Sequence, residues 1–294
     1  MRLELTRRLD LQERLFGGIE KESLTFLTSS TGLIQLIDRA SSDDCTIDDV
    51  ARLVHSEPLV SAKMVAMANS AAYGRPGRVV TNAREALNIL GLKMLRAVAA
   101  ALVTAQLADR AAQVNQPAVG RLWAHSTEVA ALAAVLARRF THVAPETALF
   151  AGMLHDIAGF YVLAKAQDQV PTLSIDLAGR AQGGGVEAPE RSQSVLAVGT
   201  RRLLSALNVP DELSDAMETL WRGYVMAPPE TLGDVLQLAN LMAQTQSPFE
   251  EFSRDPAQCG IDLDEVLERG EAAQVVRQAY DEVRAVQQAL TRKH

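Results

Sequence analysis

The sequence predicts an all-α protein built as two helical lobes. Hydrophobic residues make up 48% of its 294 positions and aromatics only 4%, with Ala and Leu dominant. Apolar residues recur three and four apart, the spacing of one helix face. No sustained run of alternating β-branched residues marks a strand. A chain of this length can enclose a sizeable core.

Residues 1–20 read as a short amphipathic helix broken at Gly17-Gly18. Residues 22–40 read as a second helix around a Ser-Ser-Thr-Gly interruption, and Ser41-Ser42-Asp43-Asp44 is a turn. Thr46 is the expected N-cap of a helix over 47–55, with Asp48 and Asp49 favouring the positive end of its dipole. Glu57-Pro58 stops that helix, and another follows over 58–71 whose Met64 and Met67 are core positions, as are Met94 and Met153 elsewhere. Tyr73 to Arg78 is a loop by its Gly and Pro content. Thr81 opens a helix at Asn82 that runs to Leu90, and Gly91 parts it from an Ala-rich helix over about 93–112. Gln113 to Pro117 is the expected boundary, giving lobes of 1–115 and 116–294.

The second lobe opens with a helix over 117–140. His125, Val129, Leu132 and Leu136 follow i, i+4, i+7, i+11 spacing, which turns His125 inward. Pro145 occupies the first turn of the next helix. There Leu149, Met153, Asp156 and Phe160 form a stripe, with His155 about 100° away, so both polar residues border the buried face. Gly179 to Ser192 reads as a loop, and helices around 193–207, 211–223, 231–245 and 262–292 complete the chain.

The net charge of −7 disfavours non-specific nucleic-acid binding. Cys45 and Cys259 stand in no CxxC or Cys-His cluster, which points to a reducing compartment. The charged N-terminus lacks the apolar core of a signal peptide, and the most apolar stretch, Ala97 to Val103, is too short to span a bilayer. The expected location is the cytoplasm, without a membrane partner.

His125, His155 and Asp156 begin a metal-site pattern. Two imidazoles and a carboxylate can give three ligands to a divalent ion, but catalysis needs a further anchor and an open position. After Asp156 no histidine occurs until His294. His55 and His142 are expected to be exposed. Trp123 and Trp221 could stack on a ligand, although separate buried anchors are the commoner use.

Two segments carry a family resemblance. Residues 56–101, SEPLVSAKMVAMANSAAYGRPGRVVTNAREALNILGLKMLRAVAAA, resemble the signature of HDOD domains, with Ala68-Asn69-Ser70, Tyr73-Gly74, Leu90-Gly91 and a basic helix start at Lys93 to Arg96. LWAHS, GMLHDIA and the later helix pair around Asn208-Val209-Pro210 supply the rest, so the likeness spans roughly 25–245. It implies an HD-like helical bundle in the second lobe and a lapsed relative of the HD metal phosphohydrolases, mostly bacterial, acting in signal transduction. His125 then matches the first His of the HD pattern and His155-Asp156 its His-Asp pair. Asn240 stands where the closing Asp belongs, and Asn is the poorer ligand for a hard cation. Asp234, six residues earlier, is the replacement if that placement is offset. Val195 stands where a further His is expected, and Gly159 where cyclic-dinucleotide phosphodiesterases often carry Lys. A two-metal hydrolase site is therefore not expected.

Three readings of the trio follow: a weak mononuclear metal site, a metal-free ligand pocket, or a polar network in which Asp156 accepts from imidazole and Asn240 completes the set. The network is the expected one, because so depleted a site loses charge neutralisation and geometry. No cofactor beyond a weakly held divalent metal is expected. Asn69, Tyr73, Arg75, Arg78 and Arg96 are candidates for a ligand or partner surface, although Asn-Ser at a helix end is usually a cap and Tyr before Gly a turn anchor. With Arg84 and Lys93 the arginines could bind phosphate, while a solvated face is the commoner outcome in an acidic protein. The expected function is non-catalytic regulation through contacts with a signalling protein, with self-association open. A residual metal-dependent phosphohydrolase and a nucleotide- or nucleic-acid-binding module on the Arg75–Arg96 cluster are the alternatives.

Overall fold

The computed structural model describes residues 2–17, 19, 31–74, 79–165, 194–223, 225–249 and 270–291. Twelve helices and no strand occur among them. They are α1 (Arg2–Phe16), α2 (Thr31–Ala40), α3 (Ile47–Ser56), α4 (Pro58–Ala68), α5 (Ala83–Phe140) and α6 (Pro145–Leu154). The remainder are α7 (Ile157–Lys165), α8 (Val195–Ala206), α9 (Asp211–Arg222), α10 (Leu232–Met242), α11 (Glu271–Gln278) and α12 (Tyr280–Thr291).

Local chemistry places several starts where the sequence put them. Thr46 and Asp49 form a reciprocal capping box at α3. Asn82 accepts from the Glu85 N–H at 2.8 Å to open α5. Pro145 heads α6. The expected loops at 75–78 and 179–192, the helix over 22–30, Cys259 and the start of the last helix lie outside the described residues.

The main departure is α5. Three helices were expected between 82 and 140, and the backbone instead forms one assigned helix of 58 residues. Gly91 takes φ 74, a left-handed conformation open to glycine, and helical bonding resumes beyond it. Pro117 sits inside the helix, where it removes one backbone donor without ending it. The stretch 113–117, expected to part the lobes, is thus helical. The buried side chains form one contiguous cluster that joins Leu36, Val54 and Met64 to Leu132, Phe150 and Leu236. Helix α5 is its spine and packs against α2, α3, α4, α6, α7, α10, α11 and α12.

Lysines fasten both terminal helices. Lys165 Nζ donates to Leu15 O at 2.7 Å, beside a Phe16–Tyr161 stack with centroids 5.6 Å apart. Lys63, buried, donates to Leu290 O at 2.7 Å and Ala289 O at 3.2 Å, meeting carbonyls that a helix end leaves without intrahelical partners.

Apolar helices run longer than expected from Ala97 to Val103. Ala83–Gln113 and Pro145–Lys165 have the length and composition of membrane spans. Their apolar windows are 61% and 94% buried inside the fold, as the core helices of a globular protein are.

Candidate metal centre

The stretch from Pro145 to Lys165 is interrupted by a turn at the His155-Asp156 pair, between α6 and α7. The interruption aims both side chains at His125 on α5. His125 is fully buried, His155 is 5% exposed, and Asp156 is partly buried. The two Nε2 atoms stand 3.2 Å apart. Asp156 Oδ2 lies 3.8 Å from His125 Nε2 and 3.6 Å from His155 Nε2.

Backbone carbonyls decide the chemistry of this trio. His125 Nδ1 lies 2.7 Å from Thr245 O, and His155 Nδ1 lies 2.7 Å from Gly152 O. A carbonyl can only accept, so each Nδ1 carries a proton, and in the neutral form of each ring Nε2 turns a bare lone pair to the centre. Asp156 Oδ2 is buried there without a hydrogen-bond partner. In that form three acceptors converge with no donor among them, all within 4.8 Å of one another. Burial pushes the His155 imidazole below its usual pKa; the Asp156 carboxylate opposes this and His125 adds to it.

This geometry corrects the expected polar network. Separations of 3.6 and 3.8 Å exceed a hydrogen bond, so Asp156 accepts from neither ring. No hydrogen bond joins Asn240 to the trio. The donors fit a cation better. Ligands about 2.0–2.2 Å from a shared tetrahedral ion stand roughly 3.3–3.6 Å apart, close to the separations found. Two imidazoles and one carboxylate suit zinc, iron or manganese.

A pocket of about 70 Å³ opens beside the trio. That volume holds a few waters or a small ligand group. Asn240 lines it, together with Trp221, Thr200, Ser194 and Phe249. Asp234 does not reach the pocket: its carboxylate closes a capping box with Thr231 at the start of α10. Val195 is buried and lies outside the pocket lining. Gly159 is a lining residue, and a Cβ there would meet Phe249 at 2.8 Å, so packing fills the place of a larger side chain. Trp123 packs edge-on against Phe160, apart from Trp221, which carries the Arg201 guanidinium 4.6 Å from its ring. The two tryptophans form no stacking pair.

Polar residues at and behind the pocket escaped sequence reading, Ser194, Thr200 and Ser247 among them. Gln237 lines the pocket at 4% exposure, with its Oε1 unpartnered. It lies one turn before Asn240 on the same face of α10, so the spacing signalled it. Glu128 lies one turn beyond His125, and its carboxylate accepts from Gln244 N at 2.8 Å and Thr245 N at 3.0 Å. No sequence signal links it to residues so distant.

Three of the candidate surface residues, Asn69, Tyr73 and Arg96, make contacts with the rest of the fold. Asn69 Nδ2 donates to Val80 O at 2.7 Å and Val65 O at 3.0 Å, while its Oδ1 accepts from Val80 N at 2.9 Å. The Tyr73 ring holds the Arg138 guanidinium 5.3 Å from its centroid, and Arg138 pairs with Glu282. Arg96 lies over Phe150 at 5.8 Å, and Arg84 pairs with Asp48. Arg75 and Arg78 lie outside the described residues. His55 and His142 are exposed, and Met64, Met67, Met94 and Met153 are buried, as expected.

Similar folds recur in solved structures. An HDOD domain protein of unknown function from Geobacter sulfurreducens aligns over 97% of this chain and 99% of its own, at 20% identity and TM-score 0.60. A presumed metal-dependent phosphohydrolase from Shewanella amazonensis SB2B aligns over 99% and 100%, at 17% identity and TM-score 0.63. A presumed signal transduction protein from Marinobacter aquaeolei VT8 aligns over 98% of this chain and 66% of its own, at 18% identity and TM-score 0.59. At these identities the likeness is one of fold. No curated protein matches the chain. The HDOD domain family matches residues 28–221, which is narrower than the expected 25–245 and stops before α10, the wall carrying Gln237 and Asn240. With the Asn69 clamp and the His125, His155 and Asp156 centre inside that match, the chain belongs to the HDOD domain family.

Proposed function

We propose that this is a cytoplasmic bacterial regulatory protein that acts without catalysis, by contacting a signalling protein. Its HD-derived pocket holds one divalent cation on His125, His155 and Asp156. The observation that carries the metal is the convergence of three acceptors with no donor between them. When bound, the ion would supply positive charge and Lewis acidity facing a small pocket. The chain's own residues fix both imidazole tautomers, exclude bulk water from the two rings, and present the Gln237 amide opposite. A small ligand with an oxygen for the metal and a hydrogen-bonding group for Gln237 suits that pocket.

The case against hydrolysis is the thin donor set. No histidine lies between His155 and His294, so a second metal lacks the nitrogen ligands of active relatives. Packing occupies the position of Gly159. The regulatory part draws support from family membership and from the signal transduction protein of similar fold. We do not carry the nucleic-acid reading forward: the net charge is −7, and of the described arginines in that cluster Arg96 is partly buried over Phe150 while Arg84 pairs with Asp48 at the surface.

Metal content of tag-free protein, measured by mass spectrometry beside a His155→Ala, Asp156→Ala double variant, tests the centre. Near-stoichiometric zinc, iron or manganese in the parent, lost in the variant, is the expected result. No metal in either protein would overturn the metal reading. Phosphoester turnover that depends on His155 would overturn the non-catalytic one.

A further inference from the structure

The two imidazoles of the centre are held by carbonyls of different origin. His155 Nδ1 bonds Gly152 O, three residues back on its own helix end, so local geometry supplies that partner. His125 Nδ1 bonds Thr245 O, which lies 120 residues away in the segment after α10. A carbonyl on a non-helical segment stays in register only if something holds that segment. Helix α10 ends at Met242, and the two N–H groups of Gln244 and Thr245 both turn to one carboxylate, that of Glu128. Glu128 sits three residues beyond His125 on α5, on the same helix face. One turn of α5 therefore grips the segment from two sides. Glu128 takes the Thr245 N–H, and His125 gives its own N–H to the Thr245 carbonyl.

We propose that Glu128 is the positioning residue of the centre. It is not a pocket-lining residue, and its carboxylate bonds the backbone of residues 244–245 rather than the trio. By clamping residues 244–245 it holds Thr245 O against His125 Nδ1. That contact keeps the proton on Nδ1 and leaves Nε2 bare and aimed at His155 and Asp156. A tautomer is set by the hydrogen bond at the other ring nitrogen, and outer-sphere partners of this kind commonly tune metal affinity by roughly 10–100-fold. The charge of Glu128 matters, because a carboxylate accepts both N–H groups while an amide offers one acceptor and one donor. The inference rests on the metal reading only for its effect on affinity; the tautomer follows from the hydrogen bonds alone.

The test uses histidine labelled with nitrogen-15 in the full chain, metal-free and mildly alkaline so that the rings are neutral. Two-bond nitrogen–proton correlations read the tautomer of each ring, and His125→Gln identifies the His125 signals. Zinc titrations of the same samples give affinity. In the parent, His125 should be the Nδ1–H tautomer. In Glu128→Gln it should become a tautomer mixture, with zinc affinity down roughly 10–100-fold and His155 unchanged. Glu128→Ala should go further, and Glu128→Gln, the isosteric change, decides the matter if the alanine variant folds poorly. An His125 signal that remains Nδ1–H in a folded Glu128→Gln protein would overturn the proposal, whether or not zinc binds. A parent that binds no zinc, yet shows the tautomer change, would remove the metal reading and leave Glu128's role standing.

Discussion

Replacing Gly152 by alanine probes the fold and the centre together. Gly152 lies on α6 where it crosses α5, and its carbonyl accepts from His155. A Cβ there would stand 2.5 Å from Ala130 Cα and 2.8 Å from Ala130 N. Ordinary contact begins near 3.4 Å, so the helices must part by 3.4 − 2.5, about 0.9 Å. Both atoms belong to the backbone, so no side-chain rotation relieves the clash. Overpacking of this kind costs about 3 kcal/mol, at the upper end of its usual range. Alanine in a helix returns about 1 kcal/mol through propensity. The net expectation is a loss of about 2 kcal/mol, a sizeable share of a typical domain's stability. Urea unfolding of both proteins measures it. Ala130→Gly added to Gly152→Ala should not rescue, because the nearest atoms, Cα and N, remain. The same separation would pull His125 from His155 and weaken metal binding. A Gly152→Ala protein as stable as its parent, or one rescued by Ala130→Gly, would refute the backbone-contact argument.

Two further outcomes follow from named contacts. Asn69→Ala removes three hydrogen bonds, two that tie Val80 to the end of α4 and one to Val65 O within that helix. It should cost about 2–3 kcal/mol in thermal or urea unfolding and speed hydrogen exchange at the Val80 amide; unchanged exchange there would show that the clamp does not hold that segment. Burial, with the Glu146 carboxylate adding and Arg138 opposing, pushes the Tyr73 hydroxyl up to about 12. The folded phenol stays neutral while the unfolded one ionises from about 10, so its contribution is intact below pH 10 and is lost as pH rises toward 12, by about 2–3 kcal/mol. Tyr73→Phe should flatten that alkaline decline in stability; equal slopes in the two proteins would place the effect elsewhere.

The helix starts were legible because caps act over three or four residues. Thr46 with Asp49, Asn82 with Glu85, and Pro145 carry their own instructions. Helix periodicity likewise turned His125 inward and put His155 and Asp156 at the border of a buried face. It could not reveal the single helix from Ala83 to Phe140, since a glycine such as Gly91 can end a helix or take a left-handed conformation inside one, and the packing of α5 against the helices around it goes with the second.

The order of the amino acids alone specified the all-α class, the core methionines and the identity of the three converging side chains. Each depends on spacing along one helix or on a short motif. Tertiary structure decided what the centre can do. The imidazoles meet carbonyls of Thr245 and Gly152 rather than Asp156, Asp234 is used up as a helix cap, and Gln237 joins Asn240 at the pocket. Periodicity fixes which face of a helix is buried but says nothing about the atoms across from it. Those atoms, through hydrogen-bond length and direction, turned a presumed polar network into three bare acceptors around one point.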